Sequence, residues 1–321
     1  KMSLHSRVNQ GDSTRNQFIA LENGYHGETL GALSVSDVGL YREPYKDYLF
    51  DPTFISAVPY VSGETDPLWH DCHAHWEKHI LPQLDPLAKT ATALIVEPLI
   101  QGAGGMKIYS LDFLKRLRAW TKANDIHLIA DEIMTGLGRT GKYFACQHGD
   151  VSPDFISVSK GLTSGWLSFS AVLTTDAIYQ CFYDDYETGK SFLHSHTFSG
   201  NALGASVALA TLNILKRDNL CEQAQHLGKT LLGLFNEISQ ETHCLSNIRQ
   251  LGAVVAADLN VNTTEKRLGY RVYQRATELG ALLRPLGNTL YWAPPLNINH
   301  NTLQHLQQIT KQAIIDTISV K

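Results

Sequence analysis

The sequence predicts an α/β protein: a large unit built on a mostly parallel sheet, then a smaller α+β unit at the C-terminal end. Three observations carry that expectation. Short apolar runs rich in β-branched and aromatic residues, bounded by Gly, Pro, Asp or Asn, recur between residues 17 and 175, as buried strands do. Between two of them lies a stretch of helical period, and strand, helix, strand implies parallel pairing through a right-handed crossover. Beyond residue 217 the texture shifts to a long amphipathic helix, short strands and a last helix.

The chain opens on KMSLHSRVNQG, without an initiator Met at position 1. Met2 and Leu4 followed by a polar turn from Asn9 to Asp12 read as the tail of a helix, so the chain is expected to start inside a domain whose first elements lie upstream. The strand candidates follow in order: QFIALEN (17–23), TALIVEPL (92–99), IHLIADEI (126–133), DFISVSK (154–160) and FSAVLTT (169–175). Between the second and third, SLDFLKRLRAWTKANDI (110–126) sets Leu111, Leu114, Leu117 and Trp120 near helical spacing. Ser110 supplies a cap there and Asp112 a partner for the helix dipole. GNALGASVALATLNILKRDNL (200–220) is a small-residue helix suited to close packing, and CEQAQHLGKTLLGLFNEIS (221–239) is the longer amphipathic one. IRQLGAVVAADL and ALLRPLGNTLYWAPPL then read as short strands, with a final helix from about Asn301. The expected division is 1–217 and 218–321.

Composition narrows the function. With 321 residues, 43% hydrophobic and 18% charged, the chain can bury a large core. A formal net charge of −4 with scattered Lys and Arg offers no cationic face for nucleic acid. Five cysteines, an odd number without C-x-x-C spacing, are read as reduced thiols in a cytoplasmic protein. No run has the length of a membrane span.

The segment 126–165 poses the main choice. Gly136, Gly138 and Gly141 form a literal G-x-G-x-x-G, the spacing that cradles a dinucleotide pyrophosphate. That use requires a crossover helix directly after the glycines, and Gly149 and Pro153 leave no room for one. Asp131 and Glu132 would also set two carboxylates beside the phosphates. The glycines are therefore expected to shape a connection. Asp131 near one strand end and Lys160 just past the next can reach one mouth of a parallel sheet. Pyridoxal phosphate needs that pair: an amine for its aldehyde, and a carboxylate for its pyridine nitrogen. Spacing alone also fits a surface acid and a loop lysine.

At these residues the sequence resembles the class III pyridoxal-phosphate aminotransferases, over essentially the whole chain. DEIMTGLGRTGKYFACQHGDVSPDFISVSKGLTSG carries the resemblance, with GYHGETLGALSVSD (24–37), VEPLIQGAGGM (96–106), FLHSHTFSGNALG (192–204) and LRPLGNTLYWAPPL (283–296). Taken in this order, the set resembles the branch that serves biotin synthesis by moving an amino group from S-adenosylmethionine to 8-amino-7-oxononanoate. Some members use lysine as donor, and no residue here decides between them; a transaminase of the ω-amino acid and pyruvate type is the alternative. The resemblance implies the type I fold, pyridoxal 5'-phosphate as cofactor, and a homodimer with shared sites.

It also implies roles. Lys160 would be the Schiff-base lysine and the base that moves the substrate proton, and Asp131 would pair with the pyridine nitrogen. Tyr25 would lie over the ring and touch substrate. Thr197 would give its hydroxyl and amide to the cofactor phosphate in the other subunit's site, flanked by His196 on the cofactor and Ser195 on the substrate. Some members have Gly-Pro where this chain has Ser195-His196, which leaves those two side chains' roles open. Arg284 would clamp the oxo acid's carboxylate with its planar fork, with Tyr291 beside it and Glu97 ordering the site from a strand end. The class's Gly-Ser phosphate turn and an N-terminal segment with substrate-contacting aromatics would lie before Lys1, so weak cofactor binding or a disturbed fold is expected of a chain that begins there.

HDCHAHWEKHI (70–80) sets His75 and His79 one helical turn apart, a usable zinc spacing. With Trp76, Glu77 and Lys78 among them, a peripheral, solvated helix is the expectation, and no metal site.

Overall fold

The computed structural model describes residues 1–260 and 267–318. Among them, six strands form the main sheet in the order Thr53–Ile55, Gln17–Leu21, Ala91–Val96, His127–Asp131, Phe155–Val158, Ala171–Thr174. All neighbours pair in parallel except the last, which is an antiparallel edge. Every strand read from the sequence is present; Thr53–Ile55 was not read, because three residues are too few to display an alternation.

Alternate residues separate the two faces. Ile19, Leu94, Leu128 and Ala130 join a core with Phe113, Leu114 and Leu117 from the crossover helix Leu111–Ala123. Ser110 caps that helix through the N–H of Phe113, and Trp120 donates to Asp85 at 3.1 Å. Burying each such Leu contributes about 1.5–3 kcal/mol. On the opposite face Phe18, Ile95, Ile129, Phe155 and Val172 border a cavity of about 850 Å3 beside the helix Met2–Asn9.

The histidine-rich segment is a broken helical stretch on the first face. Trp69, Cys72, Trp76 and Ile80 are buried while His70, His73 and His79 are exposed. His75 is tied to the carbonyl of Ala57 at 2.6 Å. Among the described residues no three His, Cys, Asp or Glu side chains gather as a metal site, and no helix is long and apolar enough to cross a membrane.

After the helix Ala202–Arg217, the C-terminal part builds its own core around the antiparallel strands Leu245–Leu251, Val254–Leu259 and Thr289–Trp292. The helices Leu220–Thr242, Leu268–Glu278 and His300–Ile318 supply the rest of that core. ALLRPLGNTLYWAPPL becomes a strand only over Thr289–Trp292: Pro285 has no N–H to give a ladder, and Gly287 turns the chain at φ +61°. Arg249 fastens this sheet to the first unit, donating to Gly105 O at 2.6 Å and Met106 O at 2.9 Å while pairing with Asp258.

Gly228 lets the Leu220–Thr242 helix lie against the 250–252 turn, where a Cβ would come within 2.0 Å of Gly252 O. Gly228→Ala is expected to lower stability by about 1–3 kcal/mol, through forced backbone displacement. Gly233 on the same helix has open space around it, so Gly233→Ala should raise stability by about 0.5–1 kcal/mol through helix propensity alone. Urea denaturation of the two variants checks the contrast.

Candidate active site

The parallel register brings the carboxyl ends of three strands to one edge. Val96 pairs with Ala130 and Asp131 with Ser157, so Glu97, Asp131 and the segment leading to Lys160 stand side by side, where sheets of this kind place their sites. Tyr25, Asp131, Lys160, Arg284 and Tyr291 line one cavity of about 580 Å3, together with Glu97. The sequence-derived acid, lysine and arginine thus line one cavity.

Each side chain there is held differently. Asp131 accepts from Ile133 N at 3.2 Å and bonds His26 Nδ1 at 2.9 Å; the His26 side chain is 2% exposed. Lys160 follows the Phe155–Val158 strand at φ +37°, a conformation that strains any side-chain-bearing residue. Its amine has no hydrogen-bond or ion-pair partner among the described residues, and the residue lines this cavity. Tyr25 donates its hydroxyl to Glu28 at 2.9 Å and leans on Tyr41, ring centres 5.5 Å apart. Burial, reinforced by Glu28, pushes its phenol up to about 12. Glu97 accepts from Tyr25 N and from Gly102 N, each at 2.8 Å.

Glu132, adjacent to Asp131, turns away from the cavity. Its carboxylate gathers the N–H groups of Ala145 and Cys146 and the hydroxyl of Thr135, and burial raises its pKa. That bracket closes the glycine segment into a loop in which Leu137 N bonds Tyr143 O and Gly138 N bonds Lys142 O. Gly138 and Gly141 both sit at φ +91°, so glycine is required for the shape of the connection. No crossover helix follows; a short 3-10 turn at Ala145–Gly149 does.

Two residues of the cavity were not singled out from sequence. His26 follows Tyr25 in the quoted YHG, and its adjacency was the available signal. Arg139 lies inside the glycine stretch, donates to Ala253 O and Pro294 O at 3.2 and 2.8 Å, and has no carboxylate partner among the described residues. Enclosure pushes its guanidinium down to about 10. Ser195, His196 and Thr197 do not join this cavity. They are exposed, and His196 instead lines a neighbouring cavity of about 960 Å3 that Lys160 also borders.

A family profile described as aminotransferase class III matches residues 1–314. The adenosylmethionine-8-amino-7-oxononanoate aminotransferase of Helicobacter pylori (strain ATCC 700392 / 26695) is 40% identical over 312 residues, covering 95% of this chain and 68% of that protein. The crystal structure of the same-named protein from Methanocaldococcus jannaschii DSM 2661 superposes with a TM-score of 0.87 at 31% identity, over 98% of this chain and 71% of that one. An amine transaminase from an uncultivated Pseudomonas species, solved with pyridoxal phosphate bound, gives 0.87 at 27% identity over 98% and 73%. The mostly parallel sheet is the type I fold expected from the sequence. With a profile spanning nearly its whole length and relatives at this identity, the chain belongs to the class III aminotransferases.

Proposed function

We propose that the chain is the transaminase of biotin synthesis that moves an amino group from S-adenosylmethionine to 8-amino-7-oxononanoate, giving 7,8-diaminononanoate. The observation that carries it is one cavity lined by an acid and an unpaired lysine from neighbouring strand ends together with an arginine from the C-terminal part. The names of the relatives supply the substrates.

The cavity suits pyridoxal 5'-phosphate at the ring and aldehyde ends. Asp131 faces it as the partner for a pyridine nitrogen, fixed by His26, and Lys160 reaches it as an amine with no competing partner. Bound there, the cofactor supplies the electron sink that lets an amino group leave one carbon skeleton and join another. Lys160 Nζ takes the proton from the donor's amine-bearing carbon and, in the second half of the cycle, gives one to carbon 7 of the acceptor. Arg284 holds the acceptor's carboxylate by a planar pair of N–H donors, while Tyr25 and Tyr291 wall the chain between and exclude water.

The phosphate end calls on Thr197, which lies outside this cavity. We place it, with Ser195 and His196, at the site of a second copy of the chain. Exposed Trp166 (81%), Tyr186 (88%), Leu193 (88%), Phe198 (71%) and Leu203 (72%) around that segment support a homodimer. The division at residues 217 and 218 and a cytoplasmic location belong to the same proposal.

Single-turnover assays with each donor and acceptor test the reading; failure of 8-amino-7-oxononanoate to accept the amino group overturns it, and acceptance by pyruvate alone favours the ω-amino acid type. Borohydride treatment with pyridoxal phosphate should add cofactor mass at Lys160. Lys160→Ala should lose that mass and at least about 10²–10⁴-fold of the rate. Arg284→Ala should lower kcat/KM for the oxo acid by about 10–100-fold, the loss of one charge-assisted pair, with partial recovery in Arg284→Lys. Sedimentation should find a dimer, weakened by Trp166→Glu.

A further inference from the structure

Beside the active-site cavity lies a second one of about 880 Å3, and the chemistry above makes no use of it. The two have Tyr41, Ala103, Arg284 and Leu286 in common. They therefore adjoin at the arginine proposed above for the acceptor's carboxylate, which is the charged residue lining both.

Three carboxylates and three cations line the second cavity, and most of them are already committed. Asp66 accepts from Ser62 N and Leu68 N, Asp37 accepts from Asn23 N, and Asp258 holds Arg249 and the hydroxyl of Thr289. Two cations are left over. Neither Lys107 nor Arg284 has a hydrogen-bond or ion-pair partner among the described residues. Lys107, half-buried on the strand Lys107–Tyr109, instead sets its ammonium 4.8 Å from the centre of the Tyr60 ring. That ring is fixed through its hydroxyl, which accepts from Asn23 Nδ2 at 2.9 Å and donates to Gln101 Oε1 at 2.8 Å. A ring face steadies a cation without filling its N–H donors, so Lys107 is held in place with those donors still to be used.

We propose that Lys107 is a second anchor for the carboxylate of the oxo-acid acceptor: a long chain extends past the active cavity, and its carboxylate is shared between Lys107 and Arg284. The proposal rests on the transamination reading given above. Because acids and cations are equal in number in the second cavity, net charge selects nothing there, and the unfilled donors select an anion. The arrangement discriminates by chain length. An acid whose carboxylate adjoins its oxo carbon, such as pyruvate, keeps that group in the active cavity with Arg284 alone. In 8-amino-7-oxononanoate a run of methylenes separates the two, and only such a chain delivers its carboxylate to Lys107.

Steady-state kinetics and calorimetry on the full chain with pyridoxal phosphate test this. Lys107→Met keeps the stem over Tyr60 and removes the charge. It should raise KM for 8-amino-7-oxononanoate about tenfold, the scale of one charge-assisted bond, and should move kcat less. KM for pyruvate should move less than KM for the long acid. Lys107→Gln, equally uncharged, should repeat the result, and Lys107→Arg, which restores the charge, should recover most of the loss. Nonanoate, of the same chain length but without the oxo group, should bind the wild-type protein about tenfold more tightly than either uncharged variant. Equal binding of nonanoate by the wild-type and uncharged proteins, or no recovery in Lys107→Arg, overturns the proposal. If instead the transamination reading is wrong, none of these proteins passes an amino group to 8-amino-7-oxononanoate while nonanoate still distinguishes them.

Discussion

Three carboxylates, Glu97, Asp131 and Glu132, stand at two adjoining strand ends and are all buried, and their need for donors organises the structure around them. An ionised or neutral carboxyl enclosed without partners is costly, and each here is supplied from a different direction. Glu97 draws in the loop before it and the turn after it, Asp131 draws in His26, and Glu132 folds the glycine segment back on itself. The loops that form the cavity are thus fixed by the acids they satisfy. Parallel pairing makes this possible, because it delivers all the acids to one edge.

The second wall is held by cations. Arg139 reaches across to the carbonyls of Ala253 and Pro294, and Arg249 reaches back to those of Gly105 and Met106. Two arginines from opposite sides therefore clasp backbone that belongs to the other part of the chain. Arg284 and Tyr291, carried by the C-terminal part, enter the cavity across that clasp. Because the acceptors are carbonyls, the joint depends on backbone geometry more than on charge balance.

Much of this was legible before the structure. The strand that ends at Asp131 and the one before Lys160 announced themselves by β-branched runs, and Ser110 marked the start of the crossover helix. Asp131 and Lys160 were readable as a pair because both fall just where a strand stops. Less visible was the helix Leu268–Glu278, whose stripe of Leu268, Val272 and Ala276 is thin, and the irregular 281–287 segment, where apolar residues suggested a strand that Pro285 interrupts. The bond from His26 to Asp131 joins residues 105 apart, and no local pattern encodes such a contact. Arg139 was hidden by the glycines on either side of it, which drew attention to phosphates rather than to the interface they shape. Ser195, His196 and Thr197 are expected from the resemblance alone, and in the single chain they are exposed.

The backbone at Lys160 has a bearing on how freely this position can vary. At φ +37° the residue occupies a region where glycine is unstrained and a side chain costs about 1–3 kcal/mol. A lysine kept there works against the local fold, so among random substitutions those to glycine would relieve the strain as they remove the amine. On the proposed reading, in which that amine carries the chemistry, stability and activity pull in opposite directions at this position.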